Sequence, residues 1–136
     1  MKILIYIPVW KRREITELCY KSLKRTILNA PKDFSFVVLI VASNDDDAEL
    51  AAKHGFEVFR CENMPLGRKF NQGLEYGLSI GNWDYLMQLN SDDVLSTDFW
   101  GVFADHFAQR QFFFGIDRVY FYDSDTRDMR EFQYTP

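Results

Sequence analysis

Lys2-Ile3-Leu4-Ile5-Tyr6-Ile7-Pro8 is apolar from its second residue onward and rich in β-branched side chains. An unbroken apolar run of this kind, without polar alternation, is typical of a strand buried on both faces of a parallel sheet. Residues 36–42 form a second such run. Between the two runs, apolar residues recur with helical spacing over residues 13–28. This order predicts two parallel strands joined by a crossover helix.

The alternation of strand and helix patterns continues along the chain. The further predicted elements are a helix over 46–54 ended by Gly55, a strand over 56–60, a helix over 68–80, a strand over 84–89 and a helix over 97–108. Later patterns predict strands at 112–114 and 117–122, a turn at 123–126 and a returning strand at 129–134. The predicted fold class is α/β, an open, mostly parallel sheet with helices on both faces and a C-terminal β-hairpin.

Composition limits the class of protein. The 136 residues are enough for one domain, and a 47% hydrophobic content is ordinary for a globular chain. A net charge of −4 disfavours nucleic acid as a partner. The apolar runs are too short to span a bilayer, and two cysteines, Cys19 and Cys61, exclude a disulfide scaffold. We therefore expect a cytoplasmic domain with reduced thiols and no membrane span.

Polar and charged segments follow the predicted strands. These segments are residues 8–13, 43–47, 67–73 and 90–93. In an open parallel sheet, ligands bind beyond the carboxyl ends of the strands, so the segments are expected at one edge. Carboxylates bind hard divalent cations, whereas basic side chains and helix N-terminal amides bind phosphate. Together they predict a site for a metal-bound diphosphate.

This ordered set of motifs resembles family 2 glycosyltransferases with the GT-A fold. Pro8-Val9-Trp10 is similar to the family's Pro-Val-Tyr-Asn, and residues 43–47 lie where the family has Asp-Asp-Gly-Ser. Residues 67–73 resemble the Arg/Asn segment before the family's third helix, and residues 84–93 resemble the strand that ends in the DxD motif. The resemblance covers residues 2–100 and implies the nucleotide-binding, N-terminal part of such an enzyme.

The resemblance implies an inverting glycosyltransferase that binds a nucleotide-diphospho-sugar through Mn²⁺ or Mg²⁺ and transfers the sugar to an acceptor hydroxyl of a saccharide or other molecule. Residues 1–109 are then the donor-binding part, and residues 110–136 begin the acceptor-side part. The residues implied in donor binding are Pro8, Trp10, Lys11, Arg12, Asn44, Asp45, Arg68, Asn71, Asn90 and Ser91. The residues implied in metal binding are Asp92, Asn90 and Asp93.

The sequence departs from the family pattern at three points. Asn90 stands where the DxD motif begins with Asp, and Ala42 or Ser43 stands where the family has an Asp that recognises the base. Only 43 residues follow Asp93, whereas the family's carboxylate base lies well downstream. We therefore expect a fragment or a minimal domain. The candidates for the base are Asp117 and Asp123.

The same residues are compatible with other functions to different degrees. The departures leave open a noncatalytic nucleotide-sugar-binding or assembly domain, which self-associates through the aromatic residues at 112–114 and 120–122. A receiver-like domain is disfavoured because no acidic cluster follows the first strand. A dinucleotide-binding domain and a P-loop are excluded because neither GxGxxG nor GxxxxGK[ST] occurs.

Overall fold

A four-stranded parallel sheet is the centre of the fold in the computed structural model, which describes residues 1–112, 114–116 and 118–133. Its strands have the order β3-β2-β1-β4, and the pairs are all parallel. The elements up to residue 102 are β1 (Lys2–Pro8), α1 (Arg13–Leu28), β2 (Ser35–Ala42), α2 (Asp45–Lys53), β3 (Glu57–Arg60), α3 (Leu66–Ser79), β4 (Tyr85–Gln88) and α4 (Phe99–Val102). The predicted α/β class with a parallel sheet is confirmed.

β1 lies between β2 and β4 and brings their carboxyl ends to one edge. Its residues from Ile3 to Ile7 are at most 3% exposed, as the apolar run predicted. Pro8 is opposite Val41, and Tyr6 is opposite Gln88. The polar segments that follow β1, β2 and β4 therefore begin side by side.

α3 packs closely against the sheet because it presents glycine to it. A Cβ atom at Gly77 would lie 2.7 Å from Leu4 Cδ2 and 3.1 Å from Leu39 Cδ2, and Gly73 faces Val41 and Tyr6 in the same way. These glycines let the helix backbone approach the strands without a side chain between them. The first turn of α3 is thereby held near the carboxyl ends of β1 and β2.

The chain divides into two compact units, Met1–Phe103 and Ala104–Pro136. The second unit contains α5 (Ala104–Ala108), β5 (Arg118–Tyr122) and β6 (Met129–Gln133). β5 and β6 form an antiparallel pair in which Tyr120 lies opposite Glu131. The predicted C-terminal hairpin is confirmed over these residues.

Two predicted elements are wrong. The segment 97–108 does not form one helix but two short ones, separated at Phe103. Glycine, β-branched and aromatic residues, which propagate a helix poorly, fill its middle. Phe112 and Phe114 have no strand structure, since hydrophobicity alone supplies no partner strand. Residues 113, 117 and 134–136 lie outside the described part, so predictions on them stay predictions.

Candidate functional site

Arg12 and Asp92 form an ion pair across the carboxyl edge of the sheet. Arg12 Nη1 donates to Asp92 Oδ2 at 2.9 Å, and Nη2 lies 3.5 Å from Ser91 Oγ. Arg12 follows β1, whereas Ser91 and Asp92 follow β4, so adjacent strands bring the three together. Ser91 is 3% exposed, whereas both charged side chains remain open to solvent. Three predicted residues thus converge at the predicted edge.

The turn between β1 and α1 aims the Arg12 side chain. Lys11 and Arg12 both have left-handed backbone conformations, with φ of 59° and 57°. A non-glycine residue reaches this region only at a cost of about 1–2 kcal/mol, so surrounding contacts must hold it there. One of them is a hydrogen bond of 3.0 Å from the Lys11 amide to Asp47 Oδ2.

Asp47 links that turn to the start of α2. Its side chain is 3% exposed. Asn44 is the N-cap of α2, and its Oδ1 accepts a hydrogen bond of 2.8 Å from the Asp47 amide. Asn44 Nδ2 in turn donates to the Asp47 carboxylate. Asn44, predicted as a donor-binding residue, therefore also caps a helix and orients Asp47.

Lys69, which is not among the residues implied in donor or metal binding, is buried at the same edge. It is 1% exposed, and its Nζ donates to the Val9 carbonyl and, at 3.1 Å, to Asn63 Oδ1. Burial lowers the pKa of Lys69, while Cys61 and Asp47 act in the opposite direction. The sequence offers one signal of this burial. Lys69 precedes the buried Gly73 by one helical turn, so both residues lie on the same face of α3.

The predicted metal residues after β4 form a tight turn. Asp93 Oδ2 accepts two hydrogen bonds of 3.1 Å, from the Asn90 backbone amide and from Asn90 Nδ2. Cys19, which is buried in α1, lies with Sγ 3.6 Å from the Asn90 carbonyl oxygen. This turn fixes the backbone on either side of Asp92, whose own carboxylate points to Arg12.

The other predicted donor residues lie around this edge with fewer contacts. Pro8 ends β1, and Trp10 is 42% exposed with Lys11 Nζ 5.0 Å from its ring centroid. Asp45 pairs with Arg60 at the end of β3. Arg68 and Asn71 are exposed in the first turns of α3.

Ser43 carries a buried hydroxyl directly after β2. Among the described residues this hydroxyl has no hydrogen-bond partner. Such an unsatisfied buried polar group is uncommon in folded proteins. Ser43 is one of the two residues, with Ala42, that stand where the resemblance to family 2 glycosyltransferases places a base-recognising Asp.

Of the two candidates for the catalytic base, Asp123 is described and Asp117 lies outside the described residues. Asp123 Oδ1 accepts hydrogen bonds from the amides of Asp125 and Thr126, at 2.9 and 3.1 Å. These bonds lower the pKa of Asp123, with the Thr126 amide making the largest contribution. Asp123 therefore closes the hairpin turn, and the lower pKa makes it a weaker base.

The side chains available at this edge as metal ligands fit a cation that takes most of its ligands from a diphosphate. In the part of the chain that is described, no three His, Cys, Asp or Glu side chains lie close enough together to enclose a metal ion. Mg²⁺ in nucleotide sites commonly takes only one or two carboxylates, with phosphate oxygens and water completing the shell. Asp92, half exposed at the sheet edge, is suited to supply that carboxylate.

Comparison with known proteins identifies the family of the chain. Residues 4–135 match the sequence model of Glycosyl transferase family 2. The chain belongs to this family. The resemblance predicted from the strand-end motifs is thereby confirmed, and the glycosyltransferase family assignment extends through the hairpin.

Among solved structures, the family 2 domain is similar to S. aureus TarS. The structure of TarS 1–349 aligns with a TM-score of 0.58 and 19% identity, covering 79% of this chain and 32% of that one. A second TarS structure aligns with a TM-score of 0.62 and 18% identity, covering 80% and 20%. The chain thus spans a third or less of the proteins it resembles, and the likeness shows the fold. No curated protein sequence matches the chain.

No helix within residues 1–112, 114–116 and 118–133 combines the length and the apolar character that crossing a membrane requires.

Proposed function

We propose that this chain is the donor-binding part of an inverting glycosyltransferase, which binds a nucleotide-diphospho-sugar through a divalent cation. The observation that carries the proposal is the meeting of Arg12, Ser91 and Asp92 at the carboxyl edge of β1 and β4, in a member of Glycosyl transferase family 2. That edge is where open parallel sheets bind nucleotides. Residues 1–109 form the donor-binding part in this proposal, and residues 110–136 begin the acceptor side.

The donor diphosphate is assigned to the basic side of the edge. Arg12 and Lys11 approach it from the β1–α1 turn, and Arg68 approaches from α3, whose N-terminal amides favour an anion. Trp10 offers a half-exposed aromatic face to the base. The unsatisfied hydroxyl of Ser43 supports base contact after β2. The remaining assigned donor contacts are Pro8, Asn44, Asp45, Asn71, Asn90 and Ser91.

Asp92 is the assigned ligand of Mn²⁺ or Mg²⁺, with Asn90 or Asp93 as the second protein ligand. When bound, a divalent cation at this position supplies Lewis-acid stabilisation of the leaving nucleoside diphosphate. Arg12 and Arg68 add fixed positive charge beside the same phosphates, which lowers the energy of the departing anion. The acceptor hydroxyl must lose its proton to a carboxylate, and we assign that base to none of the described residues.

The first experiment is a thermal-shift titration with UDP, GDP, CDP, TDP and ADP, each with and without Mn²⁺. A ligand at 100 times its Kd stabilises a protein by about 2.7 kcal/mol, which raises the midpoint by several degrees. We expect one nucleotide to give a shift that depends on Mn²⁺. Asp92→Asn should abolish it, whereas Asp98→Asn, a matched change in an exposed carboxylate, should not. A folded protein that responds to none of the ten conditions contradicts the proposal.

A second candidate function, a noncatalytic binding or assembly domain, is favoured by one observation. Asn90 replaces the first DxD carboxylate, and its amide is bonded to Asp93 in a turn. Nucleotide binding without hydrolysis or transfer of the sugar would favour this candidate. Exposed aromatic residues in the hairpin, Phe121 and Phe132 among them, are compatible with the predicted self-association, which stays a prediction.

A further inference from the structure

The carboxylate of Asp92, which is the assigned metal ligand, is paired in the structure with the guanidinium of Arg12. Arg12 Nη1 lies 2.9 Å from Asp92 Oδ2, and the two side chains are 57% and 43% exposed. The guanidinium takes one acceptor site of Asp92 Oδ2 and neutralises part of the carboxylate charge, so it opposes the binding of a second cation there. Because both side chains reach solvent, an incoming ion can displace the guanidinium.

The backbone around Arg12 keeps its side chain at this edge whether or not the ion pair is made. The left-handed conformations of Lys11 and Arg12 are held by the Asp47 carboxylate on one side. On the other side, Lys69 holds the carbonyl of Val9. A guanidinium released from Asp92 therefore stays within reach of a phosphate group bound beside Asp92.

We propose that Arg12 is an exchangeable counter-ion: it competes with the divalent cation for Asp92 and passes to the donor diphosphate when the cation binds. The inference rests on the proposed function and deepens it. It assigns Arg12 two successive anionic partners, a carboxylate and then a phosphate, both of which suit the two-pronged donor geometry of arginine. No covalent bond forms or breaks in the exchange.

The exchange has a signature that a simple phosphate contact lacks. Removing Arg12 should strengthen binding of the metal alone, since its competitor is gone. The same change should weaken binding of the metal together with a diphosphate, since a charged hydrogen-bond donor to the phosphate is lost. An arginine that only attracts phosphate does not compete for Asp92. Its removal would leave the affinity for the metal alone unchanged and would weaken only the binding of the metal with a diphosphate.

The test uses Mn²⁺ alone and Mn²⁺ with inorganic pyrophosphate, which avoids any choice of base, and reads binding by calorimetry. Arg12→Gly is the main variant because glycine adopts the left-handed backbone readily. We expect Mn²⁺ alone to bind to Arg12→Gly about two- to fivefold more tightly than to the wild type, which is the range that an exposed ion pair can supply. Mn²⁺-pyrophosphate should bind about tenfold weaker, as expected for loss of a charged hydrogen bond.

Arg13→Ala is the matched control. It removes the same charge from the next residue, whose Nη1 lies 3.5 Å from the Asp46 carbonyl oxygen in α2. If Arg13→Ala tightens Mn²⁺ binding as much as Arg12→Gly does, long-range charge is responsible and the exchange is overturned. Arg12→Lys should restore part of the competition, because it keeps the charge.

Failure of the exchange and failure of the proposed function give different results. If the wild type binds Mn²⁺-pyrophosphate and Arg12→Gly changes neither affinity, only the exchange is wrong. If neither the wild type nor Arg12→Gly binds Mn²⁺ with or without pyrophosphate, both the metal-diphosphate site and the exchange are wrong. A circular dichroism spectrum matching that of the wild type ensures that the variants compared are folded.

Discussion

Lys69 Nζ donates a hydrogen bond to the backbone carbonyl of Val9, the residue directly after β1. This bond ties the first turn of α3 to the start of the β1–α1 turn, and both residues are buried. Burying an ammonium group is costly unless its hydrogens find acceptors, and here Val9 and Asn63 supply two. The charge of Lys69 therefore serves to hold the turn that carries Arg12.

Lys69→Met should weaken nucleotide binding more than it changes stability. Methionine removes the desolvation cost of the charge but leaves the Val9 carbonyl without its donor, so the two effects on the free energy of unfolding oppose each other. We expect a net change within about 1 kcal/mol by urea unfolding. Loss of the anchor should raise the Kd for the Mn²⁺-nucleoside diphosphate about five- to tenfold, since small misplacements are costly. Lys53→Met, on the exposed side of α2, should leave the Kd unchanged.

Arg12→Gly should be more stable than Arg12→Ala. Both variants lose the guanidinium, but alanine keeps the penalty of a left-handed backbone, whereas glycine does not. The difference in the free energy of unfolding should be about 1 kcal/mol in favour of glycine, measured by urea titration. Equal stability of the two variants would show that residue 12 does not keep this conformation in solution.

Gly77→Ala and Gly67→Ala should change stability in opposite directions. A methyl group at Gly77 meets Leu4 Cδ2 at 2.7 Å, so α3 must shift from the sheet at a cost of about 1–3 kcal/mol. A methyl group at Gly67 meets no heavy atom within 4 Å, so alanine should add about 0.5–1 kcal/mol through its helix propensity. Thermal unfolding of both variants gives the comparison, and a destabilised Gly67→Ala would contradict it.

His54→Phe should reduce the loss of stability at mildly acidic pH. Burial, with a smaller contribution from Lys24, lowers the pKa of His54 in the folded chain below its usual value of about 6.5. As the pH falls through that window, the unfolded chain takes up a proton that the folded chain resists, so stability falls. Phenylalanine cannot titrate and keeps the ring contacts with Tyr20 and Phe56.

The measurement is the melting temperature of both proteins from pH 8 to pH 5. The gap between wild type and His54→Phe should be constant above pH 7 and should move in favour of the variant below pH 6.5. A parallel decline of the two curves down to pH 5 would show that His54 is not responsible.

The core of the fold could be predicted because its signals are local. The run Ile3–Ile7 is too apolar for any exposed position, and the helical spacing over 13–28 matches α1 as observed. The prediction of one helix over 97–108 is wrong because the spacing of apolar residues does not reveal the break at Phe103, where residues that propagate a helix poorly interrupt it. Periodicity describes which side chains face inward, not whether the backbone is continuous.

The candidate site could be predicted as a set of segments, not as a set of contacts. Parallel strands bring their carboxyl ends together, which is why Arg12 and Asp92 were expected near each other. Their ion pair depends on a left-handed backbone that the tertiary structure imposes on arginine, and sequence propensity argues against it. The burial of Lys69 was missed for a related reason, because charge usually predicts exposure.

The position of β1 between β2 and β4 has a consequence for synthesis on the ribosome. β2 can pair with β1 soon after it emerges, but the opposite edge of β1 waits for residues 85–88. At ordinary rates of translation that delay is roughly 5 to 15 seconds. During it, the buried apolar strand β1 exposes a row of unpaired backbone groups, so the nascent chain presents a segment that a chaperone can bind before the carboxyl edge of the sheet is complete.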